Sequence, residues 1–234
     1  MSAEPRIIYE DKHILVINKP VGFSVEATHY TGPILIDWLQ KNLKNQPYHI
    51  VHRLDTPVSG LLLLAKNKTA AAQMSQIWQE KRIEKTYWAI VEQLPPCQRD
   101  SLCHHLRKNA ANNRTIAFDK PLHHTRPAQL QYQLLGSSRH YHLLAVRLIT
   151  GRHHQIRAQL SAIHCPIKGD IKYGAKRTNA DKGICLHALR LSLPYPYLDK
   201  EQILTLEALP PVENDPLWHF FVEKYQNEPL KFMD

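Results

Sequence analysis

Long apolar runs are missing from this chain. The densest, Leu61-Leu62-Leu63-Leu64-Ala65, has the length of a buried strand and falls well short of the ~20 residues that a membrane-spanning helix needs. The opening Met1-Ser2-Ala3-Glu4-Pro5-Arg6 has no apolar core of the kind an export signal carries, so a soluble cytoplasmic protein is expected. Cysteine is scarce. Cys97, Cys103, Cys165 and Cys185 form no C-x-x-C pair, which points to reduced thiols rather than a disulfide framework. Glycine numbers only 8, and none gather into a phosphate-cradling loop, so a nucleotide-dependent enzyme has no support. There is no internal repeat, low-complexity tract or obvious linker.

Acidic residues are also in short supply. Against 30 Lys+Arg stand 21 Asp+Glu, a net charge of +9 with a sequence pI near 9.4. A positive field attracts polyanions, because phosphate contacts release counterions. Nucleic acid is the first partner to consider and an anionic membrane surface the second. The 43% hydrophobic and 22% charged composition is that of an ordinary globular chain. At 234 residues it suits one domain or two intimately packed halves, and a single catalytic domain over 1–234 is expected. No sustained heptad marks an oligomer, so a monomer is the default.

Strands are expected at Arg6–Tyr9 and His13–Lys19, with Glu10-Asp11-Lys12 as the turn between them. Leu35, Trp38, Leu39 and Leu43 stand at helical spacing, and Leu61–Ala65 reads as a strand buried on both faces. A helix fits Thr69–Lys81 with Thr69 as N-cap, followed by a strand at Lys85–Gln93. Ala128–Leu135 and His140–Ile149 form an antiparallel pair around Gly136–Arg139, and a helix starts near Gly151. Late strands fall at Ile184–Leu193 and Gln202–Leu206. A last helix is capped by Asp215-Pro216, with Leu217, Phe220, Phe221 and Tyr225 on its apolar face. Cys97–Pro127 is polar and rich in His and Asn and resists assignment. An α+β fold around one large, mixed, mostly antiparallel sheet fits this order.

Three segments concentrate chemistry. In His52–Gly60 a carboxylate, Asp55, sits on a tight loop at the mouth of a buried strand, either to act or merely to cap the turn. In Thr150–Arg157 two arginines, Arg152 and Arg157, stand at a helix start. Their charge is adverse to the helix dipole there and calls for an anion nearby. At Lys85-Thr86-Tyr87 an aromatic ring enters a strand, where it can stack on a nucleobase or simply pack in the sheet. Cys97, Cys103-His104-His105 and His123-His124 invite a metal reading, but their spacing fits no ligand frame.

The stretch His52–Lys66, HRLDTPVSGLLLLAK, closely resembles the signature loop of the RluA-type pseudouridine synthases. Glu10–Pro20 is similar to their opening hairpin, Lys85–Ala89 to their tyrosine motif, and Thr150–Arg157 with Pro166–Asp170 and Tyr173-Gly174 to their third motif. Leu186-His187-Ala188 matches their late strand. The resemblance implies the pseudouridine synthase fold with a central active-site cleft. It also implies isomerisation of uridine in tRNA or rRNA, with no cofactor, metal or nucleotide. Asp55 matches the family's essential aspartate, Arg157 the arginine that pairs with it, and Tyr87 the tyrosine under the target base. Arg53 matches an arginine that can fill the gap left by the flipped base. Arg152 is placed in RNA or loop support, and His52, His154 and Lys85 complete the expected RNA-contacting set. Three positions depart from the usual pattern: Val58 for Thr, His153 for Thr or Ser, and Gln159 for His. The resemblance begins near residue 6, which leaves substrate choice to the domain's own loops and basic surface. The rival reading is a binding module that keeps the fold and has lost the chemistry. A metal-dependent hydrolase is a third class, distinguished by loss of function on chelation.

Overall fold

In a computed structural model, the described residues are 4–27, 31–43, 46–197, 202–213, 215–230 and 232. They fall into two compact units that interleave along the chain. The first comprises Met1–Lys85, Asp181–Gly183 and His187–Pro211. The second comprises Thr86–Ala180, Ile184–Leu186 and Val212–Asp234. The fold is α+β, with a large mixed sheet and, among the described residues, four α-helices.

In the first unit β1 (Arg6–Glu10) pairs antiparallel with β2 (Ile14–Lys19), and β2 pairs antiparallel with β4 (Ser59–Ala65). The short β3 (His49–Ile50) adds to β4. The long β10 (Leu186–Pro194) runs parallel to β4 and carries β11 (Ile203–Glu207). Every residue of β4 is buried, as its unbroken apolar run requires. Ile14, Val16, Leu61 and Leu63 face Met74 and Ile77 of α2 (Lys68–Gln79) in one core cluster. The cap of α2 is Asn67 rather than Thr69. Its Oδ1 accepts the Ala70 N–H at 2.9 Å, which starts the helix one residue earlier than expected. Helix α1 (Leu35–Asn42) buries Leu35 and Leu39, as the spacing predicts.

In the second unit the strand order is β5 (Glu84–Val91), β9 (His142–Leu148), β8 (Arg126–Ser137), β6 (Arg99–Asn109), β7 (Arg114–Phe118), all antiparallel. The unassigned polar stretch is therefore a long β-hairpin. The β8–β9 turn lies beyond Gly136, which sits in a bulge instead. A Cβ there would meet the Tyr225 ring of α4 (Pro216–Tyr225) at 2.0 Å. Asp215 caps α4 through the Leu217 and Trp218 amides. The buried face of α4 is Trp218, Phe221 and Val222, with Phe220 turned outward. The helix expected near Gly151 begins later, as α3 (Gln155–Ala162), because His154 takes a left-handed conformation at its N-cap.

Candidate active site

Asp55 lies on the turn that feeds β4, and the strand holds the exit of that turn. Gly60 has φ +115° and lies against Ala188, where a Cβ would stand 2.4 Å from backbone atoms, so the close pairing of β4 and β10 needs glycine. The buried His187 bridges Ser59 Oγ (2.8 Å from Nδ1) and the Ala208 carbonyl (2.8 Å from Nε2). A carbonyl only accepts, so Nε2 carries the proton and Nδ1 accepts the Ser59 hydroxyl. Within the turn, the Val58 N–H donates to the Asp55 carbonyl at 3.0 Å, and the Gly22 N–H donates to the Thr56 carbonyl at 2.9 Å. The backbone closes this turn, and Val58 is itself 2% exposed. The shape of the loop therefore does not depend on the hydroxyl that a threonine would bring.

Lys19, at the end of β2, is fully buried, and its ammonium donates to the carbonyls of Pro20 (3.0 Å), Phe23 (3.1 Å) and Thr56 (3.5 Å). It thus ties the end of β2 to the Asp55 turn. Burial pushes it down to about 7, and the negative charge of Asp55 opposes that shift.

The residues flanking Asp55 are tied into the protein. The His52 ring stacks on Trp78 at 4.2 Å, and its Nε2 accepts the Leu63 N–H at 3.0 Å. The Lys85 ammonium lies 4.8 Å from the centre of the same indole. Burial holds Lys85 below the ordinary lysine range. Burial first, and the Lys85 charge second, take His52 to about 3. Arg53 is exposed, and its Nη1 pairs with Glu26 Oε1 at 2.5 Å.

His52 and His187 dictate an acid limit. Burial places His187 at about 4, against an ordinary value near 6.5. The unfolded chain then binds more protons than the folded one as pH falls. Stability is complete above about 6.5 and is lost towards about 4 for His187 and about 3 for His52. Urea unfolding from about pH 7.5 to about pH 4.5 should show falling stability. A His187→Asn variant should fall less steeply, by up to ~1.4 kcal/mol per pH unit. Parallel slopes would contradict this.

In the second unit, Arg157 occupies the first turn of α3. Its Nε and Nη2 donate to Asp170 Oδ2 (2.7 Å) and Oδ1 (2.9 Å), a bidentate pair with both side chains buried. The Tyr173 ring lies 4.9 Å from the guanidinium. The anion that the adverse dipole placement called for is thus supplied by Asp170. Tyr87, on β5 opposite Val146, is 8% exposed. His154 is stacked on His153 and its Nδ1 meets the Tyr173 hydroxyl at 2.9 Å. Arg152 Nε donates to the Pro127 carbonyl at 3.2 Å. Two of the departures from the family pattern gain partners. His153 Nδ1 meets Thr115 Oγ1 at 2.8 Å. The fully buried Gln159 donates through Nε2 to the Leu102 carbonyl and meets His104 Nδ1 at 3.0 Å. The helix thus carries an amide, and the neighbouring β6 strand brings the imidazole. Among the described residues, no three His, Cys, Asp or Glu side chains are grouped to hold a metal ion.

The first unit thus holds a carboxylate loop at the mouth of a buried strand, and the second a buried arginine in the first turn of a helix. The sequence matches the RNA pseudouridylate synthase family over residues 13–162, and the chain belongs to that family. It is 34% identical over 206 residues to the ribosomal large subunit pseudouridine synthase C of Rickettsia bellii (strain RML369-C), covering 86% of this chain and 67% of that protein. It is 31% identical over 222 residues to the tRNA pseudouridine synthase C of Pectobacterium carotovorum subsp. carotovorum, covering 86% of this chain and 58% of that one. The human RNA pseudouridylate synthase domain containing 4 superposes with a TM-score of 0.73 at 25% identity, covering 94% of this chain and 93% of that chain. The chain therefore spans about two thirds or less of the length of these two curated relatives.

Proposed function

We propose that this protein isomerises specific uridines in structured RNA, a transfer or ribosomal RNA, to pseudouridine. The observation that carries the reading is the Asp55 turn: a carboxylate on a loop bolted at both ends and set beside the buried Lys19 cation. Uridine and pseudouridine are isomers. One C–N bond to the ribose breaks, one C–C bond forms, and a proton leaves the base carbon while a base nitrogen gains one. The balance needs no cofactor, metal or nucleotide.

A base cannot break its glycosidic bond inside a stack, so the uridine must flip out at a cost of a few kcal/mol. Tyr87 supplies replacement stacking and Arg53, released from Glu26, fills the vacated gap. Asp55 acts on the flipped nucleotide by attack on the ribose or the base, or by removing a ribose proton. Arg157, oriented by Asp170 and Tyr173, takes the part of the family's arginine. Arg152 and His154 lie on the loop before α3 and Lys85 at the start of β5, positions suited to RNA contact. His52, committed to Leu63 and Trp78, serves RNA only through the shape of the loop. The working unit is a cytoplasmic monomer acting as a single catalytic domain.

The test is incubation of the purified protein with unmodified transfer and ribosomal RNA transcripts in the presence of EDTA. Pseudouridine formation at one or a few uridines is the expected result. RNA binding without pseudouridine would favour the module that has lost its chemistry. RNA hydrolysis without pseudouridine, abolished by EDTA and restored by a divalent metal, would favour the hydrolase class.

A further inference from the structure

The β6–β7 hairpin has two unlike faces. In antiparallel pairs, directly opposed residues point the same way. Leu106 opposite Ala117, and Lys108 opposite Thr115, define the inner face, where Leu106 packs with Ala128, Ala158 and Tyr173. His105 opposite Phe118, and Arg107 opposite Ile116, define the outer face. On that face Arg107 is exposed, Ile116 is 40% exposed, and His105 and Phe118 are half-buried. The Arg107 guanidinium lies 5.0 Å from the centre of the Phe118 ring. An exposed sheet face carrying an aromatic ring, an imidazole and a guanidinium plane has the make-up of a base-stacking platform.

The face also carries positive charge. Arg107 lies on it and Lys120 follows just past Phe118, against one acid, Asp119, whereas Lys108 and Arg126 register with the inner-face Thr115 and Leu106, and Arg114 lies 5.1 Å from the Tyr173 ring. The platform is also braced from behind. The Thr115 N–H donates to the Tyr173 hydroxyl at 2.7 Å, and Thr115 Oγ1 donates to the His153 carbonyl at 3.0 Å. The hairpin is thus joined to the loop that leads into Arg157 rather than hanging free.

We propose that the outer face of the β6–β7 hairpin binds an unpaired stretch of the RNA substrate, with Phe118, His105 and Arg107 stacking bases and the neighbouring Lys120 holding a phosphate. This rests on the reading of the protein as an RNA-modifying enzyme. It adds a surface for which the sequence motifs provide nothing.

The experiment measures fluorescence anisotropy of a labelled oligouridylate of about 20 nucleotides with the full chain. Wild type is compared with Arg107→Glu, Phe118→Ala and, as a control of equal charge change, Lys41→Glu on α1. The outer-face variants should bind at least about tenfold more weakly, and Arg107→Glu should lower the salt slope by about 0.7. Wild-type affinity in Arg107→Glu, or an equal loss in Lys41→Glu, overturns the proposal. Such a result would leave the face to a protein partner or to general attraction. Arg107 is exposed, so its substitution decides the matter even if Phe118→Ala unfolds. Binding needs no turnover, so the two readings fail separately. A protein that binds through Arg107 and forms no pseudouridine loses the activity and keeps the surface. One that forms pseudouridine while both outer-face variants bind normally keeps the activity and loses the surface.

Discussion

Asp55→Asn is expected to lower pseudouridine formation by at least about 1,000-fold, the scale lost when a positioned carboxylate can no longer exchange a proton or attack. The substitution is nearly isosteric, and the turn is built from backbone groups: Val58 N–H on the Asp55 carbonyl, Gly22 N–H on the Thr56 carbonyl, and the Lys19 ammonium on the same Thr56 oxygen. Folding should therefore survive, with a melting temperature within about 2 °C of wild type. Affinity for RNA should be kept as well. Turnover at the wild-type rate would remove Asp55 from the chemistry. Loss of activity together with unfolding would instead mark the carboxylate as structural.

The second large effect is at Asp170. Its carboxylate is the bidentate partner of Arg157, with both side chains almost fully buried. Asp170→Asn takes the charged bidentate partner from a buried guanidinium, which costs about 3–5 kcal/mol and lowers the melting temperature by roughly 10 °C in a chain of this size. Replacing both partners, as Arg157→Met with Asp170→Leu, removes the buried charge altogether and should recover most of that loss. The double variant should nonetheless stay inactive, because the arginine is gone. This separates holding the fold together from acting on RNA. An unchanged melting temperature for Asp170→Asn would show that the pair contributes nothing to the fold, and an active double variant would show that Arg157 has no role in turnover.

How much of this was legible in the sequence depended on whether an element's pattern was apolar. Leu61–Ala65 announced β4 because a strand buried on both faces has no polar positions, and Asp215-Pro216 announced α4 through cap chemistry. The β6–β7 hairpin was unreadable. Its inner face includes His104 and Thr115, polar residues that are buried because Gln159, His153 and Tyr173 satisfy them from elsewhere in the fold. With neither face cleanly apolar, the alternation that marks a strand is lost. Helix α4 showed the reverse error. Leu217, Phe220, Phe221 and Tyr225 look like one face, but Phe220 turns outward, and Trp218 and Val222 join Phe221 in the buried face.

At the site, the motif residues could be named from sequence while their supports could not. Burial of a charge is decided by what the chain packs around it, so Lys19 and Asp170 looked like ordinary polar residues inside quoted motifs. His52 and Lys85 read from sequence as RNA-contacting residues, and nothing in the sequence shows that both meet the same indole, Trp78 of α2. The anion demanded by Arg157 at a helix start was inferable from the dipole. Its identity as Asp170, 13 residues downstream, was not.

The most direct test of the central proposal is pseudouridine mapping of total RNA at single-nucleotide resolution, from cells with the gene, cells without it, and cells carrying Asp55→Asn. One or a few uridines should lose modification on deletion and regain it with the wild-type gene but not with Asp55→Asn. A map unchanged by deletion, with the protein expressed, or one fully restored by Asp55→Asn, would contradict it.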